Sequence, residues 1–255
     1  DFTGISEQLT PQALVKLINT YLSSMSRAIA IEDGVIDKFV GDTIMAYWGP
    51  PFVGEDEHAL RAVRAGLDMF AILERFQRDI PEITGLRTGA PVIDIRIGIA
   101  TGPVLIGSMG SDTVKNYTIM GDTVNVAARL ESGCKYYGNR FLISESTRDL
   151  VGNAIVAREI DLVAVKGKGE PTRVFEPIGM AGNVDPDTER LLGVYKAGLR
   201  AYRQQEWAQA EDSFRTYLAK LDHDGPSKIY LDRIAVLKEK PPGPDWDGVW
   251  RMLSK

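Results

Sequence analysis

The sequence predicts an α+β fold in which helices and antiparallel hairpins are intermixed, with a smaller helical part at the C-terminal end. Three observations carry this. Apolar residues recur at helical spacing in two long segments, around Leu14–Ile29 and Ala62–Phe76. Short β-rich runs come in closely spaced pairs instead of alternating singly with helices. A Gly/Asn/Asp/Pro segment from Gly179 to Pro186 separates this pattern from a purely helical one.

Taken in order, Thr10 and Pro11 mark a helix start, and Leu14, Leu17, Ile18, Tyr21, Leu22, Met25 and Ile29 form its apolar stripe. Val35–Val40 and Thr43–Trp48 read as the strands of a hairpin whose tip is Gly41-Asp42. Pro50 and Pro51 break the chain. Ala62, Val63, Gly66, Met69, Phe70, Leu73 and Phe76 define a second helix, with Arg78–Pro91 expected as the loop after it. Val92–Ala100 alternates as a strand, Val104–Ile106 is expected to fold back against it, and Gly107–Gly110 reads as a loop.

Asp122 or Thr123 can cap a third helix carrying Val124, Ala127, Ala128 and Leu130. A strand Arg140–Ile143, a short helix Ser144–Leu150, and strands Ile155–Val163 and Thr172–Pro177 around a Gly-rich turn complete this region. A boundary is expected near residue 180, giving domains 1–180 and 187–255. In the second, Leu191–Tyr202 and Trp207–Leu221 make two helices joined at Gln204–Glu206. The pair resembles one tetratricopeptide unit without a second copy. One unit cannot bury its own face, so packing on the main domain or on a partner is expected.

Composition removes several function classes. The 255 residues, 44% hydrophobic and 25% charged, have the make-up of a globular chain. With 30 Lys+Arg against 35 Asp+Glu the net charge is -5, which leaves no basic footprint for nucleic acid. The single cysteine, Cys134, excludes an intrachain disulfide and a cysteine-based zinc site and favours a reducing, cytoplasmic setting. Asp94 and Arg96 interrupt the most apolar stretch, far short of the ~20 residues that span a bilayer. There is no phosphate-binding loop of Walker type, no nucleophile elbow and no zinc-protease motif, and neither His58 nor His223 is given a role. The chain opens on Asp1 instead of Met, so a longer parent is expected.

Three segments carry chemistry. In Asp37-Lys38-Phe39-Val40-Gly41-Asp42, the hairpin-tip Asp42 can face a hard cation or serve only the turn, and Lys38 projects from the strand before it. In Tyr117–Leu130, Asn125 and Arg129 are four apart and share a helix face. They offer an amide and a guanidinium fork to sugar and phosphate oxygens, unless Arg129 is spent on Glu131 or Asp122. In Val165-Lys166-Gly167-Lys168-Gly169-Glu170, two lysines alternate with glycines, suited to a polyphosphate or to a basic turn.

Together with Phe2–Glu7 and Arg96–Gly102, these segments resemble the catalytic domain of class III nucleotidyl cyclases, of the bacterial adenylate cyclase type, from Asp1 to about Pro177. The resemblance implies a ferredoxin-like βαββαβ core acting as a head-to-tail homodimer with composite sites. It implies Asp42 as a metal ligand for one of two Mg²⁺ or Mn²⁺ ions, Lys38 and Thr118 as purine readers, Asn125 and Arg129 as the ribose-orienting and transition-state pair, and Lys166 as a triphosphate ligand, with Lys168 a weaker match. The implied reaction turns ATP into 3′,5′-cyclic AMP and pyrophosphate. Guanylate cyclases carry Glu and Cys at the two base-reading places. A guanylate cyclase, or a silent nucleotide-binding or scaffold module, therefore remains the alternative. The family's first metal aspartate and first strand fall upstream of residue 1, as would a sensor or membrane-anchoring region.

Overall fold

The computed structural model describes residues 5, 8–86, 88–163 and 171–250. It divides into two compact units, Asp1–Ile95 with Gly102–Val124, and Arg96–Thr101 with Asn125–Lys255. The fold class is the α+β arrangement with antiparallel hairpins that the sequence predicts.

In the first unit, helix α1 (Pro11–Ile31) starts where Thr10 Oγ1 accepts from the Ala13 amide at 3.3 Å. Its buried stripe, Leu17, Tyr21, Met25, Ala28 and Ile29, packs on helix α2 (His58–Thr84), and Tyr21 meets Phe76 edge to face at 6.0 Å. Strands β1 (Val35–Val40) and β2 (Thr43–Tyr47) form the expected hairpin, with Gly41 at φ 63° in its tip.

Three expectations are corrected here. Helix α2 does not stop at Arg78 but runs through Pro81 to Gly85, because fully buried Ile80 prolongs its apolar face. Residues 91–96 form no strand. Their backbone is instead served by side chains: the Gln77 amide donates to the Pro91 carbonyl and accepts from the Ile93 N–H, both at 2.9 Å, and Asp94 accepts from Ile95 at 3.0 Å. The segment expected as a strand end and a loop is one strand, β4 (Leu105–Gly110), paired antiparallel with β5 (Lys115–Met120).

The second unit is built on a four-stranded sheet in the order β3-β6-β8-β7: β3 (Ile97–Ile99), β6 (Phe141–Ser144), β8 (Thr172–Met180) and β7 (Ile155–Val163). β3 is parallel to β6, and the other pairs are antiparallel. Helix α3 (Asp122–Tyr137) lays Leu130, Cys134 and Tyr137 on this sheet against Leu142, Ile160 and Val174. Gly98 makes that close seating feasible, since a Cβ there would stand 2.2 Å from the Ala127 carbonyl oxygen. Helix α4 (Glu145–Val151) is capped by Ser144.

Beyond the sheet come helices α5 (Pro186–Arg203), α6 (Trp207–Leu218) and α7 (Gly225–Glu239), the last not anticipated from periodicity. They bury an aromatic core of Tyr195, Tyr202, Phe214, Tyr217 and Tyr230. Their face is not left open, because they dock on β7 through charge. Arg158 pairs with Glu176 and with Asp224, each at 2.6 Å. Asp161 accepts from Tyr137 at 2.7 Å, Tyr230 at 3.1 Å and Arg233 at 2.7 Å, and Arg203 pairs with Glu159.

Candidate active site

The hairpin β1–β2 and strand β5 position the first group of candidates, all within the first unit. Lys38 and Thr118 come from segments 80 positions apart, yet both contact one carboxylate, that of Asp37. The Thr118 hydroxyl donates to Asp37 Oδ2 at 3.0 Å, the Ile119 N–H donates to Oδ1 at 3.0 Å, and Lys38 Nζ stands 3.3 Å from Oδ2. The local cause is a bulge: Ile36 faces Ala46 and Lys38 faces Met45, so Asp37 is an extra residue with no partner on β2. An extra residue breaks the strict alternation of a strand and lets neighbours turn toward the same side. The Asp37 side chain is 1% exposed and that of Lys38 41%, so the carboxylate is enclosed while the ammonium reaches out.

Asp42 sits exposed at the hairpin tip with no hydrogen-bond or ion-pair partner among the described residues. Its charge is felt below it: the Tyr21 phenol is pushed up to about 12, first by burial and then by Asp42. No three His, Cys, Asp or Glu side chains converge on a common metal position among the described residues. A single accessible carboxylate nevertheless fits Mg²⁺, which is commonly held by one or two carboxylates together with substrate phosphates.

Helix α3 carries the second group, in the second unit. Its buried stripe of Leu130, Cys134 and Tyr137 turns Asn125 and Arg129 to the exposed side. The sequence left open whether Arg129 is spent on Glu131 or Asp122. It is not: Glu131 is taken by Arg96 at 2.8 Å, and Arg129 has no partner among the described residues. A guanidinium exposed on a helix without a counter-charge among the described residues is suited to an anionic ligand. Burial, and then Glu131, push the neighbouring Cys134 thiol up to about 12, which keeps it protonated and inert. Lys166, Lys168 and most of the Phe2–Glu7 motif lie outside the described residues.

Sequence reasoning gave Asp37 no role. The available signal was an Asp-Lys pair inside a β-run of otherwise apolar residues, where an enclosed carboxylate calls for a buried partner.

A family model described as the adenylate and guanylate cyclase catalytic domain matches residues 1–175. Among curated proteins, the terminal-differentiation specific adenylate cyclase of Dictyostelium discoideum is 32% identical over 237 residues, covering 91% of this chain and 11% of that protein. Adenylate cyclase 1 of Rhizobium meliloti (strain 1021) is 34% identical over 185 residues, covering 72% and 27%. The chain thus spans well under half the length of these relatives. Among solved structures, the adenylyl cyclase CyaB from P. aeruginosa matches with a TM-score of 0.62 at 33% identity, covering 72% of this chain and 91% of that one. The guanylyl cyclase Cya2 matches with 0.59 at 31%, covering 72% and 89%.

Proposed function

The chain belongs to the adenylate and guanylate cyclase catalytic-domain family, and on that premise we propose that it converts ATP into 3′,5′-cyclic AMP and pyrophosphate. In this reaction the ribose 3′-oxygen attacks the α-phosphorus, the bond to the β-phosphate breaks, and the hydroxyl proton is released. The observation that favours ATP over GTP is the placing of Lys38 beside Thr118 on one carboxylate. An ammonium only donates, which suits the adenine N1 acceptor and opposes the N1–H of guanine.

The remaining roles follow from chemistry and position. Asn125 hydrogen-bonds the ribose and holds the 3′-hydroxyl in line, while Arg129, one helical turn on, meets the charge that builds on the α-phosphoryl oxygens. Lys166 binds the triphosphate. Asp42 would hold one of two divalent cations, Mg²⁺ or Mn²⁺, which when bound acidify the attacking hydroxyl and neutralise phosphate charge.

The site is completed by a second copy, with Asp42 from one chain serving Lys38, Thr118, Asn125 and Arg129 of the other. In support, the strands that carry the purine readers, and β4 paired with one of them, expose large apolar side chains in the isolated chain: Val40 at 61%, Tyr117 at 70% and Met120 at 57%, with Leu105 of β4 at 71%. Residues 1–180 form the catalytic module and 187–255 a tetratricopeptide-like extension docked on it. No helix among the described residues is long and apolar enough to cross a membrane. On the ground of the single cysteine, Cys134, we place the domain in the cytoplasm.

The test is product analysis: the full-length protein is incubated with ATP or with GTP and Mn²⁺, and the cyclic product is quantified. Cyclic AMP should dominate. Dominant cyclic GMP would make it a guanylate cyclase, in keeping with the guanylate cyclases among its relatives, and no cyclic product from either would mark a silent binding module.

A further inference from the structure

We propose that Asp37 is the residue that sets base selectivity, by fixing which way the Thr118 hydroxyl points. The inference rests on the assignment of Lys38 and Thr118 to the purine and deepens it. Asp37 touches no substrate in this scheme and acts as a positioning residue.

A hydroxyl has one hydrogen to give and lone pairs to receive with, so it reads a base only once its rotor is fixed. At Thr118 both neighbours within reach are acceptors, Asp37 Oδ2 at 3.0 Å and the Ile119 carbonyl at 3.5 Å. The Thr118 hydrogen is therefore held inward, and its lone pairs are what remain for a ligand. Asp37 cannot rotate out of this duty, because Oδ1 is pinned by the Ile119 N–H at 3.0 Å and the side chain is 1% exposed. The same Oδ2 draws Lys38 Nζ to 3.3 Å, which sets a donor next to that acceptor. An acceptor beside a donor complements the adenine edge, with its N6 amino donor and N1 acceptor. It opposes the guanine edge, whose O6 accepts and whose N1–H donates. A site that leaves such groups mismatched rejects the wrong ligand strongly, since desolvated polar groups go unpaired.

The decisive variant is Asp37→Asn. Only its oxygen can serve the Ile119 N–H, so the amide NH₂ takes the Oδ2 place and donates to Thr118. The Thr118 hydrogen then has only the Ile119 carbonyl at 3.5 Å to hold it inward and is freed to turn toward a base that accepts. We expect the ratio of kcat/KM for ATP over GTP to fall by about tenfold or more, with KM for ATP rising more than kcat falls. In a Thr118→Val background there is no rotor to set, and adding Asp37→Asn should move the ratio clearly less than it does with Thr118 in place, the remainder being the lost pull on Lys38.

A purely structural role would lower both substrates together. A ratio unchanged in Asp37→Asn, with the unaltered protein still preferring ATP, overturns the inference alone. An unaltered protein that prefers GTP overturns the substrate assignment beneath it. Should Asp37→Asn not fold, Thr118→Ser and Thr118→Val decide: Ser, which keeps the bond to Asp37, should hold the ratio, and Val should lose it. Equal ratios for the two would count against the inference.

Discussion

Two arginines of the same chain show what position does to one side chain. Arg129 is exposed on α3 with no partner among the described residues, while Arg158 is buried, doubly paired and laid over the rings of Tyr195 and Tyr217 at 4.8 and 5.3 Å. The first is available to a ligand and the second to the fold. Arg129→Ala should accordingly cut kcat for ATP by about 10²–10³, as expected for a lost donor to developing oxyanion charge, and leave the melting temperature unchanged. Steady-state kinetics and a thermal melt of the same preparation check both halves. At this scale the sequence was legible where position follows from neighbours in the chain: Lys38 on the strand leading to the hairpin tip, and Asn125 and Arg129 one turn apart on an exposed helix face. Asp37 was not legible, because its meaning comes from Thr118, 81 positions away, and from a bulge that no alternation pattern announces.

Elements were readable to the extent that their cause is local. The apolar stripe of α1, the start and body of α2 and the two-residue hairpin tip are written in short windows and were expected where they stand, whereas α2 runs on past Arg78 and α3 buries Leu130 together with Cys134 and Tyr137 in place of the expected Val124, Ala127 and Ala128. Strand partners were not readable. β4 was expected to return on residues 92–100 and instead pairs with β5, a choice made by tertiary contacts, while 91–96 has its backbone bonds met by Gln77 and Asp94. The helical tail is an intermediate case. Its need for a partner followed from its aromatic stripe, but the partner proved to be β7, through buried charges that sequence cannot pair.

That docking makes a quantitative demand on stability. Arg158→Ala leaves Asp224 and Glu176 buried without their cation, and removing one member of such a pair costs about 3–5 kcal/mol. Three of the four tryptophans, Trp207, Trp246 and Trp250, lie in the tail, so urea unfolding followed by fluorescence should show the loss directly. A change under about 1 kcal/mol, the range of exposed ion pairs, would mean the network contributes little. The tail also bears on α3 itself. Gly225, at the start of α7, lies so near the end of α3 that a Cβ would stand 2.0 Å from the Tyr137 carbonyl oxygen, and Tyr137 shares Asp161 with Tyr230 and Arg233. The helix that presents Asn125 and Arg129 is thus held at its far end by the extension.

At the scale of the molecule, the proposed machinery is distributed. Lys38, Asp42 and Thr118 belong to one compact unit and Asn125 and Arg129 to the other, and the account asks a second copy to supply the metal-binding carboxylate to each set. This is a statement about symmetry as much as about chemistry: a two-fold pair has two equivalent clefts, each drawing on both chains. Mixing Asp42→Ala with Arg129→Ala protein tests it most directly. Each variant alone should be nearly inactive with ATP. In an equal mixture half the pairs are mixed, and each of those has one cleft with both groups intact. Cyclic AMP formation should therefore recover to about a quarter of the unaltered rate. A mixture that forms pairs and yet stays at the level of either variant alone would contradict the shared cleft.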